Sequence, residues 1–502
     1  MASSVKTIAA NTIVMYVRMF ILIVISFVSS RFLLKTLGIE DFGIYSVVGS
    51  VAATFVSLKS LFSESIQRFL NFEKGKGSLQ RQRIVYSFSV IIHIVLSIVF
   101  VVVVEFIGLW LINNKLVIPA EKLDTAVFVF HLSVVALVLG ILSIPFDALV
   151  IANEKMSFYA IVSIFDGILK LIIILLIPVF PFEYLRTYAV LMAVIPFVTF
   201  IWMFLYSKRM FPECHLTKES DINLLKDIFS LSGWNFFGNL SFSLLHEGMN
   251  FLLNVFGGLV YNAARSIAYQ IRSMAVQFNN NSLVAVRPSI MQSAALVPAN
   301  QLFEKVLLVS RISFYGMLIL VVPIIVYCDK LLSIWLVDVP DNSVLFTQLV
   351  LIAVTIRALH EPLNMFYMSL GKIKRMMIIE TLIMIGTLIV AYLILKLVGS
   401  ITSIFITMIM MEFVIIISLI INIKSEIEIE IKVYFTKVIK PVAILSIIVI
   451  PIVLIGLFFL QFDSAVLTLL FCGIYAILTC GIVCLNMDEQ EKLLVEKVLK
   501  KK

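Results

Sequence analysis

Asn11 to Arg31 reads NTIVMYVRMFILIVISFVSSR. An apolar run of this length crosses the roughly 30 Å of bilayer hydrocarbon as a helix. It carries a guanidinium, Arg18, near its middle. On insertion scales an arginine at the centre of a bilayer helix costs about 2.5–3.5 kcal/mol, so it is expected to face an interior and a function. Similar runs follow one another along the chain. Of its 502 residues, 61% are hydrophobic and only 14% charged, against roughly 25% charged in a soluble domain. The composition is that of an integral membrane protein.

The reading gives about fourteen spans, near 9–33, 43–66, 84–112, 125–150, 157–180, 186–206, 227–256, 262–288, 304–328, 344–368, 376–397, 402–423, 440–460 and 465–485. The first run is too long for a cleaved signal peptide and lacks a small-residue cleavage site after it. Placing the N-terminus inside gathers most of the 39 lysines and arginines in inner segments. By the positive-inside rule both termini are then cytoplasmic, and the +8 charge reflects topology, not nucleic-acid binding. Outer loops are short and leave no soluble domain. The five cysteines, Cys214, Cys328, Cys472, Cys480 and Cys484, lack metal-ligand spacing and read as packing or lipid-facing residues.

Span starts recur at an offset of about 219 residues, and Leu33–Gly38 resembles Leu252–Gly257 at the same offset. Six spans repeated in one orientation imply two parallel bundles around a central cavity. The expected organisation is an all-α polytopic protein: an N-lobe at 1–206, a cytoplasmic linker at 207–226, a C-lobe at 227–424, two further helices within 425–485, and a basic cytoplasmic tail at 486–502.

Polar residues concentrate on particular faces. In span seven Asn235, Asn239, Ser243, His246, Asn250 and Asn254 repeat at helical spacing and form one stripe, with Glu247 at its edge. Span one places Asn11, Arg18 and Ser29 on one face. Span eight lines up Asn262, Arg265, Tyr269 and Arg272. Interhelical hydrogen bonding explains one or two such amides. Three arginines without carboxylates on their own helices point instead to a hydrated cavity that handles an anion. Arg18, Arg265 and Arg272 are the candidate anion-binding residues, and the stripe with Tyr269 is the candidate cavity lining.

Two pairs, Asp166 with Lys170 and Arg357 with Glu361, are spaced i, i+4 and read as self-neutralising. His360 beside the second pair is a proton-relay candidate. Glu380 and Glu412 have no evident local partner, so with Glu247 they are candidate sodium or proton coupling sites. Arg31 and Lys59 lie nearer span ends and read as snorkelling. There is no Walker loop, no His-Glu-x-x-His and no Gly-x-Ser-x-Gly, so neither enzymatic chemistry, a cofactor nor a metal is expected.

Several segments resemble Wzx-type polysaccharide repeat-unit flippases of the multidrug/oligosaccharidyl-lipid/polysaccharide (MOP) exporter superfamily. They are Asn11-Thr12, Tyr16–Met19, Arg31–Leu34, Leu37–Tyr45, Gln67-Arg68-Phe69 with Gly75-Lys76-Gly77, Ile144–Leu149, Asn262–Gln270 and Gly371–Lys374. The resemblance covers roughly the first 425 residues. It implies a twelve-helix core in two lobes plus two helices, working by alternating access. The implied cargo is an undecaprenyl-diphosphate-linked oligosaccharide, turned outward across the bacterial inner membrane for O-antigen or capsule, a lipopolysaccharide or capsule pathway shared with polymerase machinery. It also assigns Arg18 and Arg265 to the anionic part of the cargo, with Arg272 following by helical phase. Arg287-Pro288-Ser289-Ile290 departs from the Asn-Pro-Gln-Ile-like pattern expected there, which leaves the inner end of span eight open. A lipid II flippase and a multidrug exporter of the same superfamily are the alternatives, and a membrane-embedded polysaccharide polymerase is a more distant one.

Overall fold

The structure is a computed structural model. It describes residues 2–56, 66–67, 69–71, 73–74, 77–153, 155–219, 221–370, 373–427, 431–459, 464–489 and 491–492. The protein is an all-α polytopic membrane protein, and among the described residues there is no strand. Lipid offers no partner to backbone N–H and C=O groups, so apolar runs of this length close their hydrogen bonds internally as helices. Eleven helices among the described residues are long and apolar enough to cross a membrane.

Helix α1 (Ala2–Val56) contains the first expected span and the start of the second. The loop expected at 34–42 is replaced by a single break at Gly38 (φ 77°, ψ 173°). Helices α2 (Leu79–Asn114), α3 (Leu123–Leu142), α4 (Ile144–Ala152), α5 (Met156–Leu176) and α6 (Tyr184–Met210) follow. Next come α7 (Ile222–Gly257) and α8 (Leu259–Leu296), which both outrun the spans read from sequence. The polar content of these two keeps them outside the eleven apolar spans. They are separated by one residue, Gly258 (φ 86°, ψ −174°). The same left-handed break therefore occurs at Gly38 and Gly258, close to the offset of the internal repeat. Only glycine enters that conformation without a Cβ penalty.

Compactness divides the chain into Met1–Ala263 and Ala264–Lys502, a boundary inside α8 and not in the linker 207–226. The reason is how α7 is held within the first unit. Asp221 caps α7 by accepting from the Asn223 and Leu224 N–H groups, and Arg81 at the start of α2 pairs with Asp221 at 3.0 Å. The linker itself is strapped down: Arg83 donates to the Pro212 carbonyl and the Thr217 N–H to Ser87 Oγ. Burial in this strap pushes the Cys214 thiol up from its ordinary value. At the other end, Gly43 of α1 lies so close to Leu259 that a Cβ there would sit 2.4 Å from the Leu259 carbonyl oxygen. A polar clasp joins the α1 break to α3 and α6: Lys122 pairs with Asp41 at 3.1 Å and Glu183 at 3.4 Å, and Arg186 pairs with Glu183 and Asp124.

The second unit continues α8 into α9 (Ala299–Val326), α10 (Cys328–Trp335), α11 (Ser343–Ser369), α12 (Ile373–Val398) and α13 (Ser403–Ile427). Ala275, Met317, Val321, Leu351, Val354 and Ala358 interlock in its core. Between lipid-embedded helices such packing acts through close van der Waals contact more than through release of water. Tyrosine hydroxyls tie neighbours together: Tyr367 donates to the Leu419 carbonyl and Tyr434 to that of Leu359. The penultimate helical run starts earlier than expected, with α14 (Ile431–Tyr434) and a π-helical turn (Phe435–Ile439) preceding α15 (Lys440–Phe459), whereas α16 (Ala465–Asn486) starts where the sequence places it. After α16, Asp488 and Glu491 close a reciprocal cap and pair with Arg311 of α9 at 2.8 and 3.0 Å.

Candidate functional site

Within the first unit α1, α4, α5 and α6 enclose a cavity of about 540 Å³ whose wall includes Arg18, Ser29, Asp147, Tyr159, Asp166 and Lys170. Arg18 and Ser29 share the cavity wall, as their helical phase requires. The Arg18 guanidinium carbon lies 4.9 Å from the Tyr159 ring centroid, in cation–π range. Its Nε is buried without a hydrogen-bond partner, and so is the Ser29 hydroxyl. Asp166 and Lys170 form the expected i, i+4 pair at 2.7 Å.

The other polar wall groups were not legible as a site in the sequence. Ser143 donates to the Leu139 carbonyl, Ser163 to that of Tyr159, and Thr199 to those of Ile195 and Pro196. Each hydroxyl spends its one hydrogen on its own helix, so what it offers the cavity is an acceptor. Asp147, buried on α4, adds a carboxylate to the same wall.

Two amides of the α7 stripe meet other amides. Asn250 and Asn254 are buried and joined to Asn262 of α8 in a closed knot. Asn262 donates to the Asn250 carbonyl at 2.8 Å and to its Oδ1 at 2.9 Å, and Asn254 donates to Asn262 Oδ1 at 3.0 Å. Asn254 Oδ1 also accepts from the Val117 N–H at 2.7 Å, and Asn250 donates to the Ser46 carbonyl at 3.4 Å. An amide carries donor and acceptor together, so stacked asparagines satisfy one another and their neighbours' backbone. Ser243 and His246 are buried as well, His246 edge-on to the Phe242 ring at 4.3 Å, and Glu247 is half-buried. The side chains of Asn11, Asn235, Asn239 and Arg287 lie outside the described structure, as do the residues Lys59, Arg68, Gly75, Lys76, Gly371 and Lys372.

In the second unit Arg265, Tyr269 and Arg272 form the expected ladder. The two guanidinium carbons sit 3.8 and 5.3 Å from the Tyr269 ring centroid, and the Tyr269 hydroxyl reaches Met408 Sδ at 3.5 Å. Arg272 is not an uncommitted cation, because it shares a void of about 10 Å³ with Glu412 of α13. Nor is Glu412 without a partner, since its Oε2 lies 2.6 Å from His360 Nε2. The i, i+4 pair Arg357–Glu361 closes at 2.8 Å, and half-buried Glu380 lies within electrostatic reach of His360, Arg357 and Glu412. Among the described residues Arg272 and Arg357 therefore face Glu361, Glu380 and Glu412, and one proton on His360 or a carboxyl makes these groups neutral together. Sequence spacing could not show this, because its partners come from α8, α11, α12 and α13.

No family model matches the chain, and no curated protein matches it in sequence. Solved structures do. An inward-facing multidrug resistance MATE family transporter of the MOP superfamily superposes with a TM-score of 0.69 at 12% identity, covering 82% of this chain and 98% of its own. The lipid II flippase MurJ in an inward closed conformation gives 0.70 at 11% identity, covering 94% and 98%. A MOP superfamily transporter from Pyrococcus furiosus, described as having a binding pocket of reverse polarity, gives 0.57 at 15% identity over 84% and 96%. The fold is that of the MOP transporters. Likeness at 11–15% identity carries the MOP architecture and leaves the cargo to the chain's own residues.

Proposed function

We propose that this multi-pass protein is a flippase of the bacterial plasma membrane. In this reading it turns undecaprenyl-diphosphate-linked oligosaccharide repeat units from the cytoplasmic to the outer leaflet by alternating access, supplying O-antigen or capsule polymerisation. The observation that carries the reading is the polar cavity around Arg18, built between helices long and apolar enough to cross a membrane in a chain with the MOP fold. Stripping hydration from a charged head group costs tens of kcal/mol in the Born limit, so it crosses hydrocarbon only with a hydrated, polar escort. Arginine keeps its charge at membrane depth and donates in a fixed fork, which suits that escort. Both termini are proposed to be cytoplasmic, with the repeat-based lobes 1–206 and 227–424 as the moving parts.

For the driving ion we propose protonation of the cluster formed by Glu380, Glu412 and His360, with Arg272 and Arg357 setting its field. Sodium at Glu247 is the alternative coupling site. An organic cation meets Arg18 and Lys170 as well as Asp147 and Asp166 on the cavity wall, so the wall gives it no net attraction, which disfavours multidrug export. Lipid II is the second reading, favoured by the likeness to MurJ over 94% of the chain.

Purified protein in proteoliposomes would be given labelled undecaprenyl-diphosphate oligosaccharide, lipid II or a cationic dye in parallel. Leaflet transfer of the oligosaccharide alone is the expected result. Transfer of the dye alone would overturn the flippase reading, and transfer of lipid II alone would select the second one.

A further inference from the structure

The first-unit cavity is built for a particular part of the cargo. Among the described residues four ionic side chains line it, Arg18 and Lys170 against Asp147 and Asp166, and together these four carry no net charge. The serine and threonine hydroxyls of Ser143, Ser163 and Thr199 have given their hydrogens to the helix backbone and face the space as acceptors. Both aspartates are acceptors too. Lys170 is held by Asp166. Against this acceptor surface stand a few donors, chiefly Arg18, whose Nε is buried with no partner, and the Ser29 hydroxyl, buried in the same condition.

A diphosphate is acceptor-only and multiply anionic. In this cavity it would face acceptor oxygens on most of the wall, with two carboxylates among them. A saccharide has the opposite character, because each hydroxyl or N-acetyl N–H donates and each ring or hydroxyl oxygen accepts. The aromatic face of Tyr159, already under Arg18, offers the apolar contact that a sugar ring's C–H face uses. A volume of about 540 Å³ lies inside the usual range of small-ligand pockets, roughly 300–1,000 Å³.

We propose that this cavity is a saccharide pocket taking net-neutral, hydroxyl- and amide-bearing sugars, with Arg18 donating to a sugar oxygen, and that the diphosphate is bound elsewhere. This rests on the flippase reading and revises the part of it that gives Arg18 to the diphosphate. It also limits the sugars. A neutral N-acetylated sugar matches the wall, whereas a polyanionic one meets Asp147 and Asp166.

The test uses the full chain in nanodiscs and three free probes: chitobiose, a hexuronate disaccharide and inorganic diphosphate. Saturation-transfer NMR reads the sugars and phosphorus line broadening reads the diphosphate. Chitobiose should give transfer that falls about tenfold in Arg18→Gln, the loss expected when a charge-assisted hydrogen bond is removed, and that also falls in Ser163→Leu, which fills the cavity. Diphosphate broadening should be the same in wild type and Arg18→Gln. Arg18-dependent diphosphate broadening would overturn the assignment, as would chitobiose signals indifferent to both substitutions or confined to the hexuronate. Melting curves check that each variant is folded, and a misfolded Ser163→Leu is replaced by Thr199→Val. Leaflet transfer by wild-type protein separates the two claims. If transfer is present while chitobiose ignores Arg18, the pocket assignment fails alone; if transfer is absent, the flippase reading fails.

Discussion

Replacing Asn262 by alanine dismantles the amide knot between α7 and α8, and the structure says what that should cost. The change erases two donations to Asn250 and one acceptance from Asn254, all at 2.8–3.0 Å and all buried. Interhelical hydrogen bonds in membranes average about 0.6 kcal/mol each, which sets a floor near 2 kcal/mol for the set. The Asn250 oxygen and the Asn254 amide are then left under-satisfied in a buried site, where an unmade bond costs about 1–3 kcal/mol. The expected loss is about 2–4 kcal/mol. Reversible unfolding by SDS in mixed micelles measures it. A double-mutant cycle with Asn250→Ala should return a coupling of about 1 kcal/mol or more. Transfer per folded molecule should be unchanged, because these amides face each other and not cargo. A stability change below about 0.5 kcal/mol together with lost transfer would refute the knot and restore these residues to a cargo-lining role.

Two further outcomes follow from close approach and burial. Gly43→Ala places a Cβ 2.4 Å from a backbone oxygen and should destabilise by about 1–3 kcal/mol, whereas Gly49→Ala, with open space around its Cβ, should gain about 0.5–1 kcal/mol; melting temperatures of the two distinguish them. Burial raises the Glu491 carboxyl, and Arg311 at 3.0 Å, in an ion pair of poor hydrogen-bond geometry, does not bring it back down. A raised folded value means the native state holds the proton more tightly, so this contribution is full below the ordinary carboxylate range and declines as pH rises through the folded value. Glu491→Gln should therefore melt higher than wild type at pH 8 and lose that advantage as pH falls, and the reverse order would refute the assignment.

What the sequence disclosed follows from distance along the chain. Apolar spans and the pairs Asp166–Lys170 and Arg357–Glu361 depend on composition and on spacing within about one or two helical turns, and eleven such helices and both pairs are present among the described residues. The pairing of His360 with Glu412 joins residues 52 apart, and that of Val117 with Asn254 residues 137 apart. No local spacing reveals such partners. The three arginines looked equivalent in sequence because each lacks a carboxylate on its own helix. They diverge once α13 brings Glu412 to Arg272 while the Arg18 Nε stays unpartnered. The partners of Asn250 and Asn254 were hidden for a related reason, since helical phase shows which residues share a face and not whether that face meets open space or another amide. The hydroxyls of Ser143, Ser163 and Thr199 gave no sequence signal, as serine and threonine in membrane helices commonly bond back to their own turn.

The most direct measurement of the central claim is leaflet transfer of a labelled undecaprenyl-diphosphate oligosaccharide in proteoliposomes, comparing wild type with Arg18→Gln at equal amounts of folded protein. Transfer by wild type that drops about tenfold or more in the variant is the expected result, since one charge-assisted hydrogen bond at membrane depth is lost. Equal transfer by both proteins would contradict the account, because Arg18 would then not serve the passage of cargo.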